Sequence, residues 1–360
     1  MDERASRAAE ALGNGGRALV TRLEHLGDVI LTLPVLDALR ERFPRAELDY
    51  LCRPPSSDLL TGDPRVDRVF VVESGRGLRD GFSLVRRLRR RRYAVTIDLY
   101  ANPRSAWLTW LAAAPVRIGG NRRGRRRLYT HPVDVPPEVR SAMDFHLRHL
   151  EPLGVRVVAR KPVWTPSPDE VGEARAFLSS RGMVMTGADG PLVGVHPGGK
   201  WEVKRWPVRR FAELIEMLQR ERRARVVVLT GPGEASHSRQ LAASTGDGPL
   251  YLPELPIRRV GAILSVLDGM VVSDGGIMHL SVAVGTPTVG IFGSAMPDIW
   301  FPYENFGPFL PALIEIDCRP CHRHLCPYGH TNCLNRLSAD MVLSRLDDAI
   351  RRVRLPTESR

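Results

Sequence analysis

Arg17-Ala18-Leu19-Val20-Thr21-Arg22-Leu23-Glu24-His25-Leu26-Gly27-Asp28-Val29 passes in a few residues from a β-rich run, through a glycine, to the start of a helical pattern. Residues 17–23 read as a strand. Residues 28–42 read as a helix with an apolar stripe of Val29, Leu33, Leu36 and Leu39, stopped by Pro44. Gly27 allows a sharp turn or a close approach to a ligand. A strand, a glycine turn and a helix in succession is the unit from which parallel sheets are wound.

Outward from this unit the alternation continues. Strands are expected at 47–52, 68–72 and 93–99, and helices at 81–92, 102–113 and 138–152. Residues 161–190, rich in Pro, Gly and Ser around one helical segment, read as an interdomain connection. A second series follows, with strands at 192–196, 224–230, 270–273 and 288–292, helices between them, and an amphipathic helix at 338–353. The expectation is an α/β chain of two Rossmann-like domains, 17–160 and 191–337, whose strand ends face a central cleft.

Composition agrees. The 360 residues exceed what one core usually holds, and 43% apolar with 26% charged residues suits a globular protein. No stretch approaches the length of apolar sequence a spanning helix needs, and residues 1–16 lack the apolar region of a signal peptide, which points to the cytoplasm. A net charge of +12 favours polyanionic partners such as nucleic acid, lipid headgroups, phosphorylated saccharides or nucleotide diphosphates. The basic residues are nearly all arginine, so Lys200 and Lys204, two of only three lysines, stand out.

Four turns after strands carry candidate chemistry. Asp28 is either an N-cap or a general base for an acceptor hydroxyl. His196-Pro197-Gly198-Gly199-Lys200, followed by Lys204-Arg205-Trp206-Pro207, is either a diphosphate cradle of backbone amides, a helix start and two ammonium groups, without the spacing of a P-loop, or a loop with two solvated lysines. Glu234, after Leu229-Thr230-Gly231-Pro232-Gly233, is placed to meet ribose hydroxyls, or is a surface carboxylate. Ser273-Asp274-Gly275-Gly276-Ile277-Met278-His279 again runs from strand to helix start, with Asp274 as ligand or cap and His279 as ligand or buried histidine.

This ordered set resembles glycosyltransferase family 9, the ADP-heptose:lipopolysaccharide heptosyltransferase family, over roughly residues 17–350. Gly27-Asp28-Val29 with Leu33-Pro34, the Lys-Arg-Trp-Pro segment, the Gly231 turn, Asp274 to His279 and Gly285-Thr286-Pro287 carry the likeness, with Arg104-Ser105 and Arg117-Ile118-Gly119 between them. The resemblance implies a GT-B fold and inverting transfer from a nucleotide sugar, with ADP-heptose as donor, a glycolipid or oligosaccharide of the cell envelope as acceptor, and no cofactor for the transfer itself. It implies Asp28 as base, Lys204 with Lys200 nearby against the departing diphosphate, and Gly198, Gly199, Glu234, Asp274, Gly275, Gly276, Ile277 and His279 around the donor. The family usually has Ser or Thr after the aspartate, and Gly275 removes that hydroxyl. Another nucleotide sugar, or a non-catalytic protein that binds sugar nucleotides or anionic glycans, are the competing readings.

Cys318, Cys321, Cys326 and Cys333, spaced C-x2-C-x4-C-x6-C, read as a structural zinc site or as free thiols, and Cys52 as a buried strand residue. The arginine runs 86–92 and 122–127 read as solvated surface, or as contacts to acceptor phosphates or to an anionic membrane surface. They lack the interleaved aromatics of a nucleic-acid binder, so no nucleic-acid partner is expected.

Overall fold

The computed structural model describes residues 2–73, 78–122, 124–134, 136–156, 158–183 and 190–354. Two compact units divide the chain, Met1–Pro162 and Val163–Arg360.

The first unit is built on β1 (Arg17–Thr21), β2 (Glu47–Cys52), β3 (Arg68–Val71), β4 (Val95–Asp98), β5 (Val116–Gly120) and β6 (His131–Val133). All pair in parallel, in the order β3-β2-β1-β4-β5-β6, with Thr21 level with Leu51 on one side and Asp98 on the other. The second unit has β7 (Leu192–His196), β8 (Arg225–Val228), β9 (Leu250–Tyr251), β10 (Gly269–Ser273), β11 (Thr288–Ile291) and β12 (Phe309–Ala312), in the order β12-β11-β10-β7-β8-β9. From its other edge the second sheet has the winding of the first. In each, the earliest strand lies at the middle between the second and the fourth. Strand order therefore reverses between β1 and β4, and between β7 and β10. Such switch points leave a crevice at the carboxyl ends of the strands where open α/β sheets bind ligands.

Helices cover the sheets because strands buried on both faces need apolar cover on both. In the second unit Val193, Val195, Val226, Val228, Val271 and Ile291 pack with Phe211, Leu214 and Leu218 of the Val208–Arg222 helix and with Val342 and Leu346 of the Ala339–Arg354 helix. In the first, Leu19, Leu51 and Phe70 pack with Leu88, Tyr93 and Leu108. Cys52 is fully buried there, and burial, with Asp58 nearby, pushes its thiol up to about 12.

The structure departs from the sequence reading at several points. The helix expected over 28–42 is two, Leu26–Ile30 and Leu33–Arg42, because Pro34 has no N–H to bond the carbonyl of Ile30. The 138–152 helix shortens to Ala142–Arg148. Residues 2–14 hold the helix Glu3–Gly13, capped by Asp2 and burying Ala5, Ala8 and Leu12. Of the 161–190 connection, residues from Val163 belong to the second unit: its helix Pro168–Ser179 packs on the Ile257–Leu264 helix, with Arg258 Nε 2.7 Å from Glu170 Oε1. Residues 184–189 lie outside the described residues. Among the described residues no helix is long and apolar enough to cross a membrane.

Candidate active site

After β1 the chain turns through His25, which adopts φ 61° as the residue preceding the Leu26–Ile30 helix and makes no side-chain cap. Asp28 lies inside the first turn of that helix, so it is not the N-cap. Its Oδ2 instead meets Arg22 Nη2 at 2.7 Å. Arg22 is fixed in turn: Nη1 donates to the Leu99 carbonyl at 3.0 Å, and the guanidinium lies 4.4 Å from the Tyr100 ring centre. Tyr100 Oη donates to Glu24 Oε2 at 2.9 Å, and Arg53 Nη1 meets Glu24 Oε1 at 3.1 Å. Arg104 is close enough to feel the charges of both Arg53 and Glu24. Thus the ends of β1, β2 and β4 gather Arg22, Asp28, Glu24, Arg53, Tyr100 and Arg104 at the first switch point. Arg22 and Glu24 stand in the quoted stretch with no role read from it, and Arg53 and Tyr100 carry no mark in the sequence, since the contacts of Glu24 with Arg53 and Tyr100 join separate strand ends.

Beneath them Asp98 is fully buried and accepts from the amides of Tyr100 and Ala101 and from Tyr129 Oη at 2.7 Å, which holds the turn after β4. Burial raises its carboxyl above the usual range despite these donors.

At the second switch point the loop after β7 runs through Gly198 and Gly199 to the short turn Glu202–Lys204, tied back by Arg205 Nε donating to the Gly199 carbonyl at 2.5 Å. Lys204 Nζ lies 2.7 Å from Asp274 Oδ2, at the end of β10; Asp274 is only 4% exposed. Lys200 is exposed, its ammonium 5.2 Å from the Trp201 ring centre; the structure sets Lys204, not Lys200, on the carboxylate. Glu234 is no surface carboxylate: its Oε2 accepts from the Gly231 amide at 2.9 Å and lies 2.9 Å from His196 Nε2. Burial opposes its ionisation, but His196 and the amides of Gly231 and Gly199 outweigh burial and hold its carboxyl below the usual range. A Cβ on Gly198 would come within 2.0 Å of the Glu234 carboxyl, so only glycine lets the loop pass there.

Gly275 precedes the Gly276–Ala283 helix, whose first-turn amides, Ile277 among them, have no partner within the helix. Its φ of 179° is plain extended backbone, and a Cβ there meets nothing closer than the Ser273 carbonyl at 3.7 Å. A serine or threonine fits. His279 is buried, with Nδ1 2.9 Å from Tyr303 Oη, so the core supplies it a partner. Burial first, and then the charge of Lys204, brings its imidazole down to about 3.

The buried Nδ1 of His196 and Oγ of Ser273 have no hydrogen-bond partner among the described residues, and Asp274 Oδ2 has the Lys204 charge contact without an aligned hydrogen bond. Folded proteins leave few buried polar atoms unpaired. Here His196 and Ser273 end adjacent strands, near the Lys204–Asp274 ion pair and a helix start.

The four clustered cysteines are free and partly exposed, and among the described residues no three His, Cys, Asp or Glu side chains are placed to hold a metal ion. Cys326 is surrounded by the amides of Thr331, Tyr328, His330 and Gly329, which draw its thiol below the usual range. The charges of Cys318, Cys321 and Cys326 reach Cys333, so the four thiols of the sequence-read site lie near one another.

Two successive doubly wound parallel sheets are the architecture of the GT-B fold. The model of glycosyltransferase family 9 (heptosyltransferase) matches residues 81–331, and the chain belongs to that family. It is 24% identical over 298 residues to lipopolysaccharide heptosyltransferase 3 of Escherichia coli, covering 78% of this chain and 84% of that protein. With lipopolysaccharide heptosyltransferase 1 of Pseudomonas aeruginosa it shares 25% identity, covering 92% and 97%. The fold matches that of the Escherichia coli ADP-heptose lipopolysaccharide heptosyltransferase II with a TM-score of 0.77 at 19% identity, over 94% of this chain and all of that one.

Proposed function

We propose that the enzyme transfers heptose from ADP-heptose, with inversion, to a sugar hydroxyl of a lipopolysaccharide core or related envelope glycan. The unpaired buried atoms of His196 and Ser273 beside the Lys204–Asp274 pair carry the reading, because they call for the polar donor that family membership and relatives acting on lipopolysaccharide suggest. In this reading the acceptor oxygen attacks the anomeric carbon as the bond to the diphosphate breaks. Asp28 takes the hydroxyl proton. Lys204 and the amides of Gly275, Gly276 and Ile277 meet the charge that grows on the departing ADP, stabilisation aimed where charge develops. Glu234, held by His196, takes the ribose hydroxyls. Lys204 supplies the charge that a metal supplies in other transferases, so transfer is expected to survive EDTA.

A panel of nucleotide sugars with an acceptor extract, read by mass spectrometry, tests the donor; a hexose product in place of heptose would move the specificity and leave the chemistry. Asp28→Asn is expected to lose transfer by roughly 10²-fold or more with ADP affinity unchanged, as loss of a base should. Full transfer by that variant removes Asp28 from the role.

A further inference from the structure

Four large apolar residues of the first unit are exposed: Val71 at the end of β3, Phe82 (74% exposed) in the Leu78–Arg90 helix, and Trp107 and Trp110 (53% and 42%) in the Pro103–Leu111 helix. The tryptophans, three residues apart, stand on one helix face as an edge-to-face pair with centroids 5.5 Å apart. A groove of about 560 Å³ runs between these elements, lined by Val69, Val71, Phe82, Leu84, Leu108 and Leu111. Arg89 Nε donates to the Leu111 carbonyl at 2.7 Å and links the two helices.

The charge here is one-sided. Residues 78–92 carry seven arginines against one acid, Asp80. Arg91 is committed to Asp49 and Glu47, while Arg86, Arg87 and Arg90 are exposed on the helix that carries Phe82. Exposed rings and guanidinium groups on two neighbouring helices suit the boundary where anionic headgroups meet acyl chains: the rings enter, and the cations stay with the phosphates. The same Pro103–Leu111 helix that shows Trp107 and Trp110 to solvent carries Arg104 beside Arg53 and Glu24 at the strand ends. The exposed tryptophans and the strand-end cluster of Arg53 and Glu24 are thus joined by one helix.

We propose that this face docks on an anionic bilayer, with Phe82, Trp107 and Trp110 in the headgroup boundary and Arg86, Arg87 and Arg90 on lipid phosphates. It deepens the glycolipid-acceptor reading above and is tested without any transfer. The full-length protein is sedimented with phosphatidylglycerol vesicles and, separately, with phosphatidylcholine vesicles. The expected result is binding to the anionic vesicles, weakened by salt, with tenfold or more lost in a combined Phe82→Ser, Trp107→Ser, Trp110→Ser variant. Arg86→Gln, Arg87→Gln, Arg90→Gln together should abolish the preference for phosphatidylglycerol. Equal binding to both vesicles, or undiminished binding by the aromatic variant, overturns the proposal. Quenching of wild-type tryptophan fluorescence by brominated phosphatidylglycerol reads insertion without any substitution, and its absence also overturns it. The aromatic variant should keep full transfer to a delipidated oligosaccharide, so a failure of docking and a failure of the transfer reading are told apart.

Discussion

Arg22 holds the Asp28 carboxylate from one side while the Leu99 carbonyl and the Tyr100 ring hold Arg22 from two others. A carboxylate so fixed has one orientation, which is what a base needs when small displacements cost large factors in rate. Arg22→Met is therefore expected to lower kcat roughly 10²-fold with the ADP Kd unchanged, a split that steady-state kinetics and calorimetry read together. Gly275→Thr is expected to fold normally and to tighten ADP binding, since backbone and space accept the hydroxyl the family usually has. Gly198→Ala should do the reverse, driving the Glu234 carboxyl off His196 and weakening ADP about tenfold, ~1.4 kcal/mol by titration. The strand-turn-helix positions of Asp28, Lys204, Glu234 and Asp274 were legible in the chain because short-range pattern alone sets them. Their partners were not. Arg22 and His196 stand in the quoted motifs, but nothing in sequence says which carboxylate each meets once separate turns fold together.

Element boundaries followed local chemistry. Asn102 caps the Pro103–Leu111 helix in a capping box with Ser105, its Oδ1 accepting from the Ser105 amide at 2.7 Å. Asn102→Ala is expected to cost about 1 kcal/mol in chemical denaturation, by loss of that cap. Prolines placed other boundaries, and Pro34 broke a helix that apolar spacing alone ran together. Spacing missed the five-residue β5 and the Glu3–Gly13 helix as well as shorter strands. β6 has three residues and β9 two, below the length at which alternation can be told from chance, and β12 contains Pro311, which argues against a strand although the sheet accepts it at the edge.

At the scale of the molecule, two βαβ series were evident from the sequence, but strand order was not, since only pairing across the sheet reveals it. Three histidines are neutral in its interior. Burial, then the charge of Arg22, holds His146 well below 6.5; burial lowers His149 to about 4, and burial with Lys204 lowers His279 to about 3. Because these folded values lie below the unfolded 6.5, each adds stability that is complete above that pH and lost as pH falls toward the folded values. Thermal melts are expected to hold steady near pH 7 and to fall progressively below about 6.

Neither sheet borrows a strand from the other, and each has its own central strand and its own helical cover. Such a chain is expected to unfold as two cooperative blocks, each absorbing its own heat. A nucleotide held by the Val163–Arg360 block should therefore raise the melting of that block before it raises the other, so a calorimeter can record occupancy of the donor pocket with no acceptor and no chemistry under way.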